Sequence, residues 1–423
     1  MTKPPDSERV RSNPSPATAL AAVGTGLAVL TVVLLGLNLR LVFGSASALL
    51  TEIREVYQLG AGSAALLTTG PVVCLGIFAV AAARTVRRAS VPTVITGCLV
   101  LVLLGTALRG TPWWPVLVSG TLLAGIGIAV ANVLGPILVR LLFPHRIGAM
   151  TGLFTAMVSA SAGIASGATI PLDTALFHNW RTTLVAWAFP AVLAVVALSV
   201  VALRYNRFAR YAAAAAPTLP RWRPEVLRSP VAWAVTGFMG MQSLLAYSMI
   251  GWLPTIYRDR GLAAEHAGLL LTALSISSIA TALTVPVLAT RLRRQSVLAV
   301  AVVALSVAGL TGVLVGGTGA AVFWAVLLGL GQGGQLSLAL TLINLRSPTA
   351  STATSLSSMA QSIGYLVAAL GPLVAGALRG ATGSWTVPLA ALLVVMIPLA
   401  MCGWWAGRDM PVRGGNAEEL SPT

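Results

Sequence analysis

Residues 18–48 read TALAAVGTGLAVLTVVLLGLNLRLVFGSASA, an apolar run that contains one charged residue, Arg40. Roughly 20 consecutive apolar residues are enough for a helix to cross a bilayer. The run is much longer than the apolar core of a signal peptide, which has about 7–15 residues, although SASA at 45–48 resembles a cleavage site. We therefore expect a retained, membrane-spanning first helix that carries a cation in its interior.

The composition of the whole chain also indicates a membrane protein. Of the 423 residues, 57% are hydrophobic and 9% are charged, whereas a water-soluble protein has about 25% charged residues. The three cysteines, Cys74, Cys98 and Cys402, lie in apolar segments without disulfide or metal spacing. We therefore expect an integral membrane protein that needs neither a metal nor a cofactor.

Twelve apolar windows long enough to cross a bilayer follow one another along the chain. They cover residues 18–48, 62–82, 91–108, 114–139, 147–172, 182–203, 230–253, 266–289, 296–315, 320–344, 353–378 and 384–405. The windows are too long, and lack the alternation, for the strands of a transmembrane barrel. An all-α integral membrane protein with twelve transmembrane helices is predicted.

The basic residues are distributed unevenly between the loops. Of the 27 Lys and Arg residues, 20 lie in the two tails and in every second loop, six lie in the intervening loops, and Arg40 lies in a span. Because cytoplasmic loops carry the excess of Lys and Arg, the pattern predicts a multi-pass plasma-membrane protein with both termini cytoplasmic. The net charge of +16 therefore does not indicate a nucleic-acid partner.

The two halves of the chain resemble each other. LGAGSAALLTT (59–69) and LAAEHAGLLLT (262–272) each open the second span of a half, and these spans end in the basic loops RTVRR (84–88) and RLRRQ (291–295). Two parallel six-helix repeats are the organisation of the major facilitator fold, in which substrate binds between the halves near the bilayer midplane. The predicted divisions are a cytoplasmic tail at 1–17, a six-helix half at 18–203, a cytoplasmic linker at 204–229, a second half at 230–405 and a cytoplasmic tail at 406–423.

Arg40 is the first candidate for a functional residue. It lies about 11 residues, or ~16 Å, inside a helix end near Thr51, which is too deep for its charge to reach the interface easily. A charge at the centre of a span costs roughly 2.5–3.5 kcal/mol and usually faces a cavity or a partner. The forked donors of a guanidinium suit small, planar, anionic groups. We therefore expect Arg40 to face a substrate cavity.

The acidic residues leave Arg40 without an obvious partner, because none of the eleven Asp and Glu residues lies in the middle of a predicted span. This absence argues against organic cations as the substrate. A coupling proton would have to ride on the substrate or on a loop carboxylate such as Glu52. Exchange and facilitated diffusion are alternatives that the sequence leaves open.

Amides and tyrosines within the spans are further candidates for substrate contact, although each could instead form an interhelical hydrogen bond. Gln361 and Tyr365 are four residues apart and therefore share a helix face. Asn38 and Arg40 lie about 200° apart around a regular helix, so both can face a ligand only where the helix is distorted. The candidates beside Arg40 are Asn38, Asn132, Gln242, Tyr247, Gln332, Gln361 and Tyr365.

Several of these residues lie in longer motifs, which occur in order along both halves. The motifs are NLR (38–40), LLTEIREVYQLGAGSAALLTTGPVVCLG (49–76), FPHRIGAMTGLF (143–154), MQSLLAYSMIGWLP (241–254), LGLGQGGQLSLALTLINLRS (328–347) and SSMAQSIGYLVAALGP (357–372). With them, the chain resembles the cyanate/2-nitroimidazole transporter family of the major facilitator superfamily from about residue 36 to about residue 400.

This resemblance implies a secondary transporter for small, often anionic or planar polar solutes. It also implies that Arg40 anchors the substrate. QSLLAY would place Gln242 and Tyr247 towards the cavity, and QSIGY would place Gln361 and Tyr365 there. Neither the substrate nor the direction of transport follows from the resemblance.

The basic loops after the second span of each half are candidates for cytoplasmic gating contacts. The wider superfamily usually has an Asp before this cluster, whereas this chain has Ala83 and Thr290 near the two equivalent positions. A latch would therefore need other loop contacts here. The gating candidates are Arg84, Arg87, Arg88, Arg291, Arg293 and Arg294.

Two transport functions compete on this evidence from the residues. The first is alternating-access transport of a small anionic or planar polar solute, such as cyanate-like or nitroimidazole-like compounds, with Arg40 as the counter-charge. The alternative is a multidrug or toxicant efflux transporter that relies on amides and aromatic rings in a broad apolar cavity. An enzyme would need a catalytic constellation, and we expect none. We expect a monomer whose partners are a small-molecule substrate, the lipid bilayer and, where transport is coupled, a proton.

Overall fold

A computed structural model of the chain describes residues 23–79, 85, 89–143, 146–211 and 224–412. Within these residues the chain forms twelve long helical bodies, two of them interrupted, in the order of the twelve predicted windows. They are α1 (Thr25–Asn38 and Leu41–Ala48), α2 (Ala61–Phe78), α3 (Val91–Leu108), α4 (Trp114–Leu142), α5 (Ile147–Leu172), α6 (Trp180–Ala186 and Phe189–Tyr211), α7 (Pro230–Arg258), α8 (Ala264–Arg291), α9 (Ser296–Val315), α10 (Ala321–Leu345), α11 (Ala350–Thr382) and α12 (Thr386–Ala406). The prediction of an all-α protein with twelve transmembrane helices is confirmed.

These helices have the length and the outer surface of membrane spans. Ten described helical stretches are long and apolar enough to cross a bilayer, and α2 adds a shorter apolar stretch, Leu66–Phe78. Large apolar side chains such as Val196 on α6, Ile276 on α8 and Ile397 on α12 are exposed on the outside of the bundle. The remaining helix, α7, has 29 residues, and its middle carries polar side chains, among them Gln242.

The first helix is interrupted at Arg40. Its first segment ends at Asn38, Arg40 has φ −133° and ψ 0°, and the second segment begins at Leu41. The backbone N–H groups of Phe43 and Gly44 donate to the carbonyl oxygen of Arg40, at 3.1 and 3.2 Å, and so start the second segment. The helix is therefore distorted between Asn38 and Arg40, at the point where a regular helix would separate the two side chains.

The sixth helix continues past the predicted start of the linker at residue 204. It ends at Tyr211, and a short 3-10 helix, Pro224–Arg228, precedes α7. Arg204 in this extension donates to the carbonyl oxygen of Val23 at 2.9 Å, which ties the extension to the start of α1. The first eight residues of the predicted linker are therefore helical. The predicted tail at 1–17, most of the tail at 406–423 and the middle of the linker lie outside the described residues.

Helices α1–α6 and α7–α12 form two halves, which meet where α5 packs on α8, α2 on α11 and α1 on α7. Small residues allow the backbones to approach closely, as is typical of membrane helices. A Cβ atom at Gly268 of α8 would lie 2.6 Å from the carbonyl oxygen of Ser166 on α5. The hydroxyl of Thr272 donates to the carbonyl oxygen of Gly163 at 2.7 Å. Packing and hydrogen bonding together therefore hold α5 against α8.

We call the end of the bundle where α1 begins and α12 ends the terminal face, and the opposite end the distal face. At the distal face, a short helix, Leu50–Tyr57, follows α1 and carries Glu52. Nη1 of Arg258, at the end of α7, lies 2.9 Å from Oε1 of Glu52 and 3.4 Å from the carbonyl oxygen of Ala48. This ion pair joins the two halves at the distal face.

At the terminal face, a buried guanidinium holds elements of the second half together. Arg346, just after α10, donates to the carbonyl oxygen of Ala406 at 2.9 Å and to Oε1 of Gln295, and its Nη1 lies 3.4 Å from Oδ1 of Asp409. Burial lowers the pKa of Arg346 and the charge of Asp409 opposes this shift. These contacts connect α10, the loop between α8 and α9, and the end of α12.

The predicted gating arginines fall into two groups. Of the three in the second half, one ends α8 and two lie in the loop after it, and all three are exposed, whereas the three in the first half lie outside the described residues. Gln295 in the same loop is buried and makes the contact with Arg346. The gating role of the arginines stays a prediction. The first group is Arg291, Arg293 and Arg294, and the second is Arg84, Arg87 and Arg88.

Two glycines in different surroundings, one packed between α1 and α5 and one on an open face of α3, predict opposite effects of substitution by alanine. In Gly44→Ala, the new Cβ would lie 2.1 Å from the carbonyl oxygen of Ala162, a backbone atom that cannot move aside, so we expect a loss of about 1–3 kcal/mol of stability. In Gly97→Ala, on α3, the Cβ meets nothing within 4 Å, and we expect a gain of about 0.5–1 kcal/mol. Thermal unfolding of both purified variants in detergent measures the difference, and equal Tm values would contradict the close packing at Gly44.

Candidate substrate cavity

A cavity lies between the two halves, close to the middle of the helices that surround it. In this conformation the lining side chains lie close together and leave room for about one water molecule. Helices α1 and α5 line it from the first half, and α7, α8 and α10 line it from the second. Its polar lining residues are Arg40, Ser159, Gln242, Ser275, Ser278 and Gln332.

Arg40 is a lining residue, as the sequence predicts. It lies eight residues before the end of α1 at Ala48, or about 12 Å along the helix axis, and its side chain is half-buried. Its Cζ atom lies 5.4 Å from the centroid of the Tyr247 ring, a cation–π distance. Within the part of the chain that the structure describes, the ion pairs involve other arginines, and Arg40 has no carboxylate partner.

Two tyrosines and an asparagine extend from Arg40 across the interface between the halves. The rings of Tyr247 and Tyr365 meet edge to face, with their centroids 6.2 Å apart, and the ring centroids of Phe43 and Tyr247 lie 5.3 Å apart. Nδ2 of Asn132, on α4, donates to the hydroxyl of Tyr365, on α11, at 2.9 Å. The structure therefore brings four of the predicted residues into one cluster: Arg40, Tyr247, Tyr365 and Asn132.

Two further predicted residues, Gln242 and Gln332, line the cavity itself. Gln242 is 1% exposed, and its Nε2 donates to the hydroxyl of Ser243 at 2.7 Å and to the carbonyl oxygen of Met239 at 3.1 Å. Gln332 is 6% exposed, and its Nε2 has no hydrogen-bond partner among the described residues. The two amides differ in that Gln242 is held by its own helix and Gln332 is not.

The structure does not bring the other two predicted residues to the cavity. Nδ2 of Asn38 donates to the carbonyl oxygen of Pro190 at 3.1 Å and so joins α1 to α6, despite the distortion at Arg40. Nε2 of Gln361 donates to the hydroxyl of Ser357 on its own helix at 2.8 Å. Neither side chain lines the cavity. In the QSIGY motif, Tyr365 therefore joins the cluster and Gln361 does not.

Some residues that line the cavity or are buried were not predicted from the sequence. Ser159, Ser275 and Ser278 line the cavity, although the ordinary role of an intramembrane Ser is to bond to its own helix. Ser278 does so, donating to the carbonyl oxygen of Ser275 at 2.7 Å. Arg109 is 1% exposed and its Nη1 lies 3.3 Å from the hydroxyl of Ser45, although its position after an apolar run reads as a loop residue. The closely spaced serines in SISS at 275–278 are a signal in the sequence that could have indicated a polar face on α8.

The chemistry of the lining is that of a donor-rich, positively charged site. Among the described residues, the lining contains a guanidinium, two amides and three hydroxyls and no carboxylate. Guanidinium and amide N–H groups bind acceptor atoms, and a guanidinium favours planar anionic groups. No group in the lining has the arrangement of a nucleophile with its base. The geometry therefore suits reversible binding of a small solute with acceptor atoms.

Comparison with known proteins agrees with this reading. Residues 28–369 match the family model described as Major Facilitator Superfamily. The chain is 35% identical over 379 residues to the "Uncharacterized transporter YycB" of Bacillus subtilis (strain 168). The alignment covers 89% of this chain and 92% of that protein.

Two relatives from Escherichia coli (strain K12) carry a substrate in their names. The chain is 33% identical over 411 residues to the 2-nitroimidazole transporter, with 94% of this chain and 99% of that protein covered. It is 31% identical over 370 residues to the cyanate transport protein CynX, with 87% of this chain and 94% of that protein covered.

Among solved structures, that of a D-xylose-proton symporter superposes with a TM-score of 0.71 at 12% identity, and the superposition covers 95% of this chain and 99% of that one.

The sequence similarity extends over most of the chain and the structural similarity over nearly all of it. The resemblance drawn from the sequence motifs is therefore confirmed. The chain belongs to the major facilitator superfamily and is a multi-pass membrane transporter.

Proposed function

We propose that the chain transports a small anionic or planar polar solute, of a cyanate-like or nitroimidazole-like kind, with Arg40 as its counter-charge. The observation that carries this proposal is the guanidinium of Arg40, which faces the cavity without a carboxylate partner in the described chain. A cation inside a span is costly unless a partner is present, and an anionic or strongly dipolar substrate would supply one.

The relatives support the same class of substrate. Cyanate is a small linear anion and 2-nitroimidazole is a small planar heterocycle with a dipolar nitro group, and the proteins named for them are 31% and 33% identical to this chain. Both solutes present acceptor atoms to their surroundings. A site of N–H donors beside a guanidinium suits such acceptors better than it suits cations.

The arrangement of the site supports alternating access. The cavity has walls from both halves, and rocking of one half against the other would expose it to each side of the membrane in turn. The Glu52–Arg258 pair joins the halves at the distal face, so this pair would separate when the distal side opens. The Asn132–Tyr365 hydrogen bond also crosses between the halves, beside the cavity.

The charged residues in the loops are the basis for the proposed orientation of the chain in the membrane and for the proposed carrier of a coupling proton. With the excess of Arg and Lys on the terminal face, both termini would be cytoplasmic in the plasma membrane. A coupling proton would ride on the substrate or on Glu52, and a D-xylose-proton symporter of the same fold supports such coupling. We also propose that the chain acts as a monomer and catalyses no covalent reaction.

The first test is substrate binding by an Arg40 variant. We expect cyanate, benzoate or 2-nitroimidazole to raise the Tm of the purified protein in detergent, and Arg40→Ala to raise the Kd roughly 10- to 100-fold, the effect of losing a hydrogen bond to a charged group. Arg40→Lys should recover part of the affinity, because it keeps the charge and loses the fork.

The matched control removes a positive charge elsewhere. Arg207, on the exposed end of α6, lies away from the cavity, so Arg207→Ala should bind as the unaltered protein does. Unchanged binding by Arg40→Ala would contradict the proposed site. Stabilisation of that variant by many unrelated compounds would favour the multidrug exporter instead.

The hydrogen bond between Asn132 and Tyr365 predicts an energetic coupling across the halves. Asn132→Leu and Tyr365→Phe each remove one partner, and the double variant should lose less stability than the two single losses added together. We expect a coupling energy of about 0.6–1.7 kcal/mol, the range for hydrogen bonds between membrane helices. Unfolding of the four proteins in detergent measures it, and strictly additive losses would show that the bond does not join the halves.

The ion pair at the distal face predicts a change in conformational equilibrium. Breaking it with Glu52→Gln should favour the state open at that face by roughly two- to fivefold, the factor for about 0.5–1 kcal/mol from a partly exposed pair. The measurement uses a protein in which the three native cysteines are replaced and Ser47 is changed to cysteine. Ser47 is 2% exposed and lies beside α7, so the rate of maleimide labelling at this position reports opening at the distal face.

A second distal ion pair is the matched control for this measurement. Nη2 of Arg379 lies 3.0 Å from Oδ2 of Asp259, and both residues belong to the second half. Asp259→Asn therefore breaks an ion pair of similar length that does not join the two halves. We expect the labelling rate of the Asp259→Asn protein to match that of its parent. Equal acceleration in both variants would indicate general loosening rather than opening between the halves.

A further inference from the structure

One amide in the cavity wall is unlike the others. Gln332 lies near the middle of α10, is 94% buried, and has an Nε2 atom without a hydrogen-bond partner among the described residues. An unsatisfied buried donor costs about 1–3 kcal/mol, so such groups are uncommon unless something else binds them. The amide lines the same cavity as Arg40.

The backbone around Gln332 leaves it little freedom to turn away from the cavity. A Cβ atom at Gly329 would lie 2.1 Å from the carbonyl oxygen of Leu274, and one at Gly333 would lie 2.0 Å from that of Ser278, both on α8. A Cβ atom at Gly331 would lie 2.2 Å from the hydroxyl of Ser306, on α9. These close approaches fix the rotation of α10 between α8 and α9, and with it the direction of the Cα–Cβ bond at Gln332.

A second glutamine on the same helix shows what a purely structural amide does here. Gln335 is fully buried, and its Nε2 donates to the hydroxyl of Ser306 at 2.9 Å and to the carbonyl oxygen of Val302 at 3.2 Å, while its Oε1 has no partner among the described residues. It therefore joins α10 to α9 and does not line the cavity. The Nε2 atom of Gln332 has no such bonds among the described residues, and Gln332 lines the cavity.

We propose that Gln332 is a specificity-determining ligand of the substrate, which together with Arg40 makes the site select compact anions over neutral analogues of the same shape. This inference rests on the proposed function, in which Arg40 binds the substrate, and adds the charge class of that substrate. Arg40 belongs to the first half and Gln332 to the second, so the anion would bind to both halves at once.

The selectivity follows from the matching of donors and acceptors. Arg40 offers only donors, and the unpartnered atom of Gln332 is a donor as well. A carboxylate or cyanate ion has only acceptors and can satisfy both side chains. A neutral amide of the same shape brings N–H donors of its own, which would leave donors facing donors. Buried polar groups that lose their partners discriminate strongly between such analogues.

The experiment compares matched anions and neutral molecules on matched variants. The probes are cyanate, formate against formamide, and benzoate against benzamide, with Kd measured by calorimetry or tryptophan fluorescence on the purified full chain. Gln332→Met removes the amide at similar side-chain volume, and Gln335→Met is the control on the same helix. Arg40→Ala is measured beside them.

We expect the unaltered protein to bind the anions and not their neutral partners. Gln332→Met should weaken anion binding roughly 10- to 100-fold and reduce the discrimination between benzoate and benzamide. Gln332→Glu should abolish anion binding, because its carboxylate would pair with Arg40. Gln335→Met should bind anions normally even where its Tm falls.

Several outcomes would overturn the inference, and they can be told apart from failure of the proposed function. Wild-type anion affinity in Gln332→Met, with affinity lost in Arg40→Ala, would remove Gln332 from the site and keep the proposed function. Unchanged affinity in both variants would overturn both. Where Gln332→Met fails to fold, Gln332→Asn withdraws the amide by one methylene, and unchanged affinity in that variant would also refute the role.

Discussion

The structure depends on how a permanent positive charge is kept inside a membrane-spanning helix. Solvation by lipid is unavailable to Arg40, so the charge must face a cavity or a partner. The chain meets this constraint with a break in α1 at Arg40, an aromatic ring 5.4 Å away in Tyr247, and a cavity bounded by both halves. The ring offsets part of the cost, and the rest of the guanidinium is available to a solute.

The second constraint is that two halves must pack closely and still move. Small residues in α5 and α8 bring the backbones together, and single polar contacts such as Thr272 to Gly163 join them at defined points. Within the second half, the bonds of Arg346 connect several elements at the terminal face. The polar contacts described between the halves are single hydrogen bonds and one ion pair, which can separate when one half rocks against the other.

The electrostatic character of the cavity connects the fold to the family. The superfamily shares its helices among proteins with different substrates, so the fold does not identify the solute. In this chain the described lining residues combine one guanidinium with neutral polar groups and include no carboxylate. The relatives named for cyanate and 2-nitroimidazole transport are consistent with a small, acceptor-rich solute in such a site.

The sequence by itself determined the twelve spans, their pairing into halves and the position of Arg40 as a lone charge within a span, because runs of apolar residues and a lone internal charge act through local solvation. It could not decide which amides face the cavity. Asn38 and Gln361 bond to helix backbone and side chains, whereas Gln332 faces the cavity, and all three have the same appearance in an apolar run. That choice depends on the rotation of each helix, which the packing of neighbouring helices sets. The burial of Arg109 against α1 was likewise a tertiary outcome, since the end of a span and the start of a loop look alike until helices are packed.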